Sequence, residues 1–450
     1  MKKFLTVLLI LLGCGAAGFA GFWLAKHKMT VPVDVQTEAT FGPTLSPVAD
    51  LPASPGAAEL EDDDDELADI TEITFSASGD NLLHTFLYKQ AAARAKGATG
   101  GENKNSVITD QNDSGTGENE EYVTGTGDYD FSFLYDQVAD FFEGTDINWV
   151  NQETLVSDTL EPSSYPKFSS PGDVVRELYN RNFRIFNLST NHIYDQGADG
   201  LVATTKFWNS MPEDCLATGL VKKNNYDNIW IKSVKNVNFA FLSYTYGTNG
   251  LSVPSDSKYH IILLSETDII KKQIKLAREQ ADVVVVSCHW GNEDSHAITE
   301  SQREMAKKLT GWGADLIIGT HPHVVQDAEW VESRGRKSFC AYSLGNFVSA
   351  QEVSDNLIGA TLKLTFEIHE DLLTDEKTIE IKNPKLIPTV TDYRSGHNDV
   401  RVYWLKNYSR ELADTHGVRS FDSRFGYDYI YEVLKNSISK EFLKLPRKKK

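Results

Sequence analysis

The sequence predicts an α/β fold. Short apolar runs rich in β-branched residues alternate with stretches of helical periodicity from residue 73 to about 390. Five of the apolar runs end in clustered Asp, Glu, Asn or His. With 450 residues, 40% of them hydrophobic, the chain can bury one large core or two smaller ones. In open α/β sheets ligands bind beyond the carboxyl ends of the strands, so clusters placed there can converge on one rim.

The chain begins with Met1-Lys2-Lys3, followed by 22 residues without a charge, Phe4 to Ala25. That is long enough to cross a bilayer as a helix, and longer than the apolar core of a cleaved signal peptide. Residues 1–28 are therefore expected to form an uncleaved membrane anchor. Leu11-Leu12-Gly13-Cys14 resembles a lipoprotein cleavage box and leaves lipidation at Cys14 as the alternative. Residues 29–70, rich in Pro, Ala, Thr and Ser and carrying the acidic run Glu61 to Glu66, read as a disordered, self-repelling tether. Its random-coil reach is roughly 35 Å. The body is expected on the extracytoplasmic side of the cell membrane.

The folded part is expected over 71–390. Ile73 to Ser76 is a strand ending in Ser78-Gly79-Asp80, with His84 opening a helix to about Ala95. Residues about 97–127, rich in Gly, Asn, Ser and Asp, read as a flexible insertion. Phe131 to Phe142 has the pattern of one amphipathic helix, and Ile147 to Val150 is a strand ending in Asn151-Gln152-Glu153. Ser170-Pro171 reads as the cap and first residue of the next helix. Phe183 to Leu188 is a strand leading to Asn191-His192, with Asp195 and Gly197 beyond. Val237 to Tyr246 is a strand and Glu266 to Gln280 a helix; Ala281 to Ser287 is a strand ending in His289-Trp290-Gly291-Asn292-Glu293. Ser301 to Gly313 is a helix, followed by a buried strand at Ala314 to Ile318 and by Gly319-Thr320-His321-Pro322-His323. Lys337 to Tyr342 ends in Ser343-Leu344-Gly345-Asn346-Phe347, and 359–368 and 380–388 add strand-like runs. Residues 391–450 read as an accessory segment with a helix at about 426–437.

The net charge of -19 argues against nucleic acid as a partner, because so acidic a surface repels a phosphate backbone. An anionic substrate would need local positive charge, which bound cations can supply. Four cysteines show no CxxC spacing and no disulfide framework.

The chemistry lies in the strand-end clusters. Two imidazoles separated by a stiff Pro322 can turn toward one point, and imidazole binds zinc, iron and manganese well. Five of the eleven histidines fall in these clusters. A two-ion hydrolytic site needs a bridging carboxylate, several imidazoles and further oxygen donors, and every part is present. Blander readings stand beside these: His84 reads equally as a ligand or as a residue packed on a helix, and Asn191 as a ligand or a turn former. Asp195-Gln196-Gly197 has turn chemistry, Trp290 reads as packing, and Ser343 lacks partners for a nucleophilic triad.

Gly79-Asp80, Asn151-Gln152-Glu153, Asn191-His192 with Asp195 and Gly197, His289-Trp290-Gly291 with Glu293, Gly319 to His323 and Ser343 to Phe347 occur in this order. Together, over roughly 73–388, they resemble the CapA family of capsule-synthesis and poly-γ-glutamate proteins, which is related to calcineurin-like metallophosphoesterases. The resemblance implies a metallophosphoesterase-like sandwich of two β-sheets flanked by helices, holding two divalent metal ions, with Mn, Fe or Zn fitting the donors. By position, Asp80 and His323 would bind the first ion, with His84 a further ligand. Asn191, His289 and His321 would bind the second, and Glu153 would bridge. His192 would be the general acid, with Asp195, Glu293 and Asn346 orienting the ligands. The resemblance further implies an anionic capsule polymer or a phosphoester as substrate, and membrane-bound synthase or export subunits as partners. The rival reading is a non-catalytic, polymer-binding assembly subunit.

Overall fold

Side-chain alternation decides the layering. The runs at 239–242, 283–286 and 316–318 are buried on both faces, as strands covered by a sheet on one side and helices on the other must be. A computed structural model describes residues 68–99, 125–371, 374 and 376–447. The expected anchor, Cys14 and nearly all of the expected linker lie outside the described residues, as do residues 100–124 of the expected insertion. No helix among the described residues is long and apolar enough to cross a membrane.

The described chain runs through β1 (Ala68–Asn81), α1 (Thr85–Thr99), α2 (Ser132–Tyr135), α3 (Ala139–Glu143), β2 (Ile147–Gln152), β3 (Val156–Ser157) and β4 (Ser170–Pro171). It continues through α4 (Asp173–Asn180), β5 (Ile185–Asn187), α5 (Gly197–Trp208), β6 (Leu216–Thr218), β7 (Leu220–Lys222), β8 (Trp230–Val234), β9 (Val237–Thr245) and β10 (Tyr259–Ile261). Then come α6 (Thr267–Gln280), β11 (Val283–His289), α7 (Glu300–Trp312), β12 (Leu316–Thr320), β13 (Ala328–Ser333), β14 (Arg336–Ala341) and β15 (Asn346–Val348). The last elements are β16 (Ile358–Asp371), β17 (Lys377–Arg394), β18 (Asn398–Trp404), α8 (Arg410–Asp414) and α9 (Tyr427–Ser437).

These strands form an eight-stranded sheet, in the order β18-β17-β16-β1-β2-β5-β6 with β15 on the end of β1, and a six-stranded sheet, β13-β14-β12-β11-β9-β8. In the first, β1, β2, β5 and β6 are parallel. In the second, β9, β11, β12 and β14 are parallel. The parallel strands of each sheet therefore finish together, at one end of that sheet. Phe239, Val283, Val285, Leu316 and Ile318 share one core with Phe75, Trp149, Ile185 and Phe366 of the first sheet. Phe239 meets Phe366 edge to face at 5.2 Å across the layers. The alternate residues Ala240, Leu242, Val284, Val286 and Ile317 pack instead under Ile270, Ile274 and Ala277 of α6 and Ala306 and Leu309 of α7. The result is a mixed α/β sandwich.

Three boundaries differ from the sequence expectation. Phe131 to Phe142 breaks into α2 and α3, because Asp136 to Val138 leave the helix at a turn. Ser170-Pro171 does not open a helix: these residues pair with Val156-Ser157, and α4 begins at Asp173 behind Gly172. The boundary expected at residue 390 falls inside β17, which pairs along its length with β16 and then with β18. Residues 391–404 thus complete the large sheet. The chain end returns to it as well, where the Leu386 amide donates to the Phe442 carbonyl and the Lys444 amide to that of Leu386.

Candidate metal centre

Each expected ligand sits at the carboxyl end of a strand. Asp80 ends β1 where the backbone of the Ser343–Gly345 turn presses close: a Cβ on Gly79 would stand 1.8 Å from the Gly345 carbonyl oxygen, so only glycine fits. Asn151 of β2, next to Asp80 in register, donates from Nδ2 to Asp80 Oδ1 at 2.7 Å. Asn187 of β5 donates in turn to Asn151 Oδ1 at 2.6 Å. This row of amides across three parallel strands fixes the Asp80 carboxylate.

Glu153 follows β2 and is buried. Thr190 donates to its backbone carbonyl at 2.7 Å. Both of its carboxylate oxygens are buried without any hydrogen-bond partner. His289 Nε2 and His323 Nε2 stand 3.8 and 3.7 Å from Glu153 Oε1, too far to bond it. An unpaired carboxylate in such a place costs several kcal/mol unless a cation faces it.

His289 ends β11 beside its register partner Thr320, whose hydroxyl lies 2.9 Å from Nδ1. Its Nε2 lies 2.9 Å from Asn191 Oδ1. His321 and His323 follow β12 with φ of 98° and 59°, left-handed backbone that costs a non-glycine residue on the order of 1–3 kcal/mol. That strain turns both rings inward around Pro322. His321 Nδ1 is buried and unpartnered, and Tyr246 covers the ring at 4.5 Å. His323 Nδ1 lies 3.0 Å from Asn346 Oδ1 and 3.1 Å from Asp80 Oδ2.

Two groups of three ligand atoms result, each with its atoms within 4.8 Å of one another: Glu153, His289 and His321, and Asp80, Glu153 and His323. Glu153 belongs to both. The bare oxygens of Glu153 and the free nitrogen of His321 are what a cation site requires of its donors, and the N/O donor set suits divalent metals. No Lys or Arg pairs with any of these groups among the described residues.

His192 stands beside the two groups. Its Nδ1 lies 2.7 Å from Asp195 Oδ2, which also accepts the Phe168 amide at 2.8 Å. Phe168 meets the His192 ring edge-on at 4.8 Å. His84 joins neither ligand group: the Ala350 amide donates to its Nδ1 at 3.3 Å, and it packs against Phe168. Glu293 is exposed and acts on the site only through its charge. Asn346 also donates to Gln351 and to the Asn356 carbonyl, which anchors it as a brace for His323. Trp290 is buried packing, its indole donating to the Tyr342 carbonyl, and the Ser343 hydroxyl donates to the Val324 carbonyl and accepts from the Gly345 amide.

Sequence reasoning missed Asn151, Asn187, Thr320, Tyr246 and Asn249. Asn249 accepts from Asn191 Nδ2 at 3.0 Å. The period of two along β1 and β2, with Asp80 and Asn151 each one place from its strand's end, is the signal that could have found Asn151. Nothing local marks Asn249 or Tyr246, which arrive on the loop after β9.

A family model described as bacterial capsule synthesis protein PGA_cap matches residues 74–351. The chain belongs to that family. Two curated relatives are the PGA biosynthesis protein CapA of Bacillus subtilis, 27% identical over 221 residues, and the capsule biosynthesis protein CapA of Bacillus anthracis, 28% identical over 232. The matches cover 48% and 50% of this chain and 57% and 55% of those proteins, so they span little more than half the length of either relative. Likeness to solved structures is looser. A phosphatase from Mycoplasma pneumoniae gives a TM-score of 0.34 at 14% identity, covering 70% of this chain and 94% of that one. The NAD nucleotidase of Haemophilus influenzae gives 0.40 at 13%, covering 83% and 57%.

The charge balance of this PGA_cap family member is uneven across its candidate centre. Burial holds His289 well below the ordinary histidine range and, with the nearby charge of His323, holds His321 down at about 3. Burial also works against a charge on His323, but the Glu153 and Asp80 carboxylates outweigh it and hold that ring up at about 10. Burial pushes Glu153 well above the usual carboxylate range; His323 pulls it back and Asp80 adds to the rise. His323 is thus held toward its charged form, while His289 and His321 are held toward the neutral form that can bind a cation.

Proposed function

We propose that this protein is a metal-dependent hydrolase of capsule synthesis or export, acting on an anionic polymer such as poly-γ-glutamate or on a phosphoester. The observation that carries the reading is the Glu153 carboxylate, bare and buried between two sets of ligands. Two divalent ions fit this reading, one on Asp80, Glu153 and His323, the other on Glu153, His289 and His321 with the Asn191 carbonyl beside them. Such ions, Mn, Fe or Zn by donor type, would lower the pKa of a water and polarise the scissile group's oxygen.

The remaining work falls to the chain itself. When His192 carries both ring protons, Nδ1–H donates to Asp195 and Nε2–H is the proton available to a leaving group. Phe168 and Tyr246 wall the site with carbon and limit water around the His192 and His321 rings. The amide row from Asn187 to Asp80 keeps one ligand oriented without adding charge. Residues 1–28 are proposed to anchor the body outside the cell membrane on the 29–70 tether, next to membrane-bound synthase or export subunits.

Metal analysis of the purified full chain, with hydrolysis assays on a chromogenic phosphodiester and on poly-γ-glutamate, tests the reading. Bound metal near two per chain and a turnover lost in His192→Ala without loss of metal are expected. Stoichiometric metal with no turnover, unchanged by His192→Ala, would point to the assembly subunit instead. Alkaline carbonate extraction tests the anchor: the chain should stay in the membrane pellet, and release into the wash would refute it.

A further inference from the structure

The helical layer on the six-stranded sheet carries a groove of about 370 Å³ lined by Asp268 and Lys271 of α6, Lys307, Lys308 and Trp312 of α7, and Arg334 of the β13–β14 turn. Four cations meet one acid there, on a chain of net charge -19. The other cations of α6 and α7, and Arg336, are paired. Lys272 meets Asp227 at 2.6 Å, Lys275 meets Glu279 at 3.9 Å, Arg303 meets Glu329 at 2.8 Å, and Arg278 and Arg336 both meet Asp315. Lys271, Lys307, Lys308 and Arg334 have no acid partner among the described residues. Pairing thus divides the cations of one surface into those that brace the fold and those that face the groove.

The groove also has a direction. Leu264, just before α6, donates its amide to Thr245, and Thr245 is the register partner of His289. The first turn of α6, with Asp268 and Lys271, therefore starts at the strand-end rim that carries the metal ligands. Arg334 lies in the turn that precedes β14, and β14 runs parallel to β12, so Arg334 marks the opposite edge. The groove follows α6 only from Thr267 to Lys271, roughly 7 Å at about 1.5 Å per residue, and continues past Lys307, Lys308 and Trp312 of α7 to Arg334. Half-buried Trp312 offers an apolar face to the methylenes between charges.

We propose that this groove docks an extended polycarboxylate chain, the anionic capsule polymer itself, and leads it toward the metal-bearing rim. Charge complementarity selects this occupant, because the rest of the acidic surface repels it. The proposal rests on the capsule reading given above.

Fluorescence anisotropy of labelled poly-γ-glutamate with the full chain tests it. The double substitution Lys307→Gln/Lys308→Gln is compared with Lys272→Gln/Lys275→Gln, which changes net charge equally on the same layer. The groove pair should weaken binding about tenfold and flatten its salt dependence, and the control pair should stay within about twofold. Trp312 emission should change on polymer addition, and that change should vanish in Trp312→Phe. Equal losses in both pairs would overturn the groove while leaving polymer binding and the capsule reading intact. A wild-type chain that hydrolyses the phosphodiester but binds no polymer would overturn the groove together with the polymer as substrate. Duplex DNA bound as tightly, with the same loss in the groove pair, would overturn the choice of a polycarboxylate.

Discussion

The two ligand groups around Glu153 are built from different material. One pairs it with His289 and His321, rings held neutral by burial, one of them with a buried nitrogen that bonds nothing. The other pairs it with Asp80 and His323, a second carboxylate and a ring held protonated by its acid neighbours. The imidazole-rich half is ready for a cation as it stands. The carboxylate-rich half is closed on itself by a proton that a cation must displace. The difference also follows the sheets: Asp80 and Glu153 come from the parallel strands of the large sheet, the three imidazoles from those of the small one. Neither sheet holds a site alone.

Removing the shared member should erase the contrast altogether. Glu153→Ala is expected to lose metal from both halves, with an affinity loss beyond the roughly 100-fold that removal of an orienting partner costs. Metal content by mass spectrometry checks this, and a variant that keeps one full equivalent would show that the halves do not depend on a common bridge.

His192 lies on the imidazole-rich side, one residue from Asn191. His192→Ala should cut turnover by about 10²–10⁴-fold with metal content unchanged. Asp195→Asn should cut it less and shift its pH profile, because it changes the partner of Nδ1 and of the Phe168 amide but leaves the ring in place. A loss of metal in either variant would make the dyad part of the binding site instead.

The pH dependence of metal uptake should tell the halves apart. In the metal-free fold His323 sits at about 10, above the ordinary 6.5, so its proton stabilises the fold fully below about pH 6.5. That contribution is lost as pH rises through about 10. A cation entering this half must expel that proton, so uptake there strengthens with rising pH up to about 10. His321, at about 3, holds no proton to expel near neutrality. Between pH 6 and 9, uptake by His321→Ala, which keeps His323, should therefore rise with pH by about one proton per cation, or roughly tenfold per pH unit. A flat pH dependence in that variant would remove the asymmetry.

The smallest effects should come from the braces. Asn346→Ala unties His323, and Asn249→Ala unties Asn191. Each should cost about 1 kcal/mol, near fivefold in affinity or rate, the first in metal uptake and the second in turnover. An exchange of those two readouts would reverse the assignment of the halves.

Much of this was readable in the sequence because the ligands ride on short, strongly apolar strands. A run such as Val283 to Val286 fixes its own conformation, so the polar residue that ends it can be placed. Asp80, Glu153, His289, His321 and His323, singled out in this way, come together in two groups in the structure. His84 was not placed, because its surroundings come from Phe168 and Ala350, far along the chain. Ser170-Pro171 looked like a helix start because local capping rules hold for isolated segments, whereas here a strand partner 14 residues back claims those residues. The extent of β17 was hidden for a related reason. Its long edge alternates without a continuous apolar run, and pairing with β16 and β18 extends it well past the expected end.

That extension bears on how the protein must be made. The loop bearing His289 to Glu293 is tied down by His296, which meets the Val325 carbonyl at 2.7 Å, Asp355 at 3.1 Å and the hydroxyl of Ser437 at 3.0 Å. A ribosome halted near residue 390 would already have emitted every proposed ligand. It would not yet have supplied the strand that closes the large sheet, nor the helix whose end holds this loop in place. The brace on the loop of the candidate metal centre is therefore among the last parts of the described chain to form.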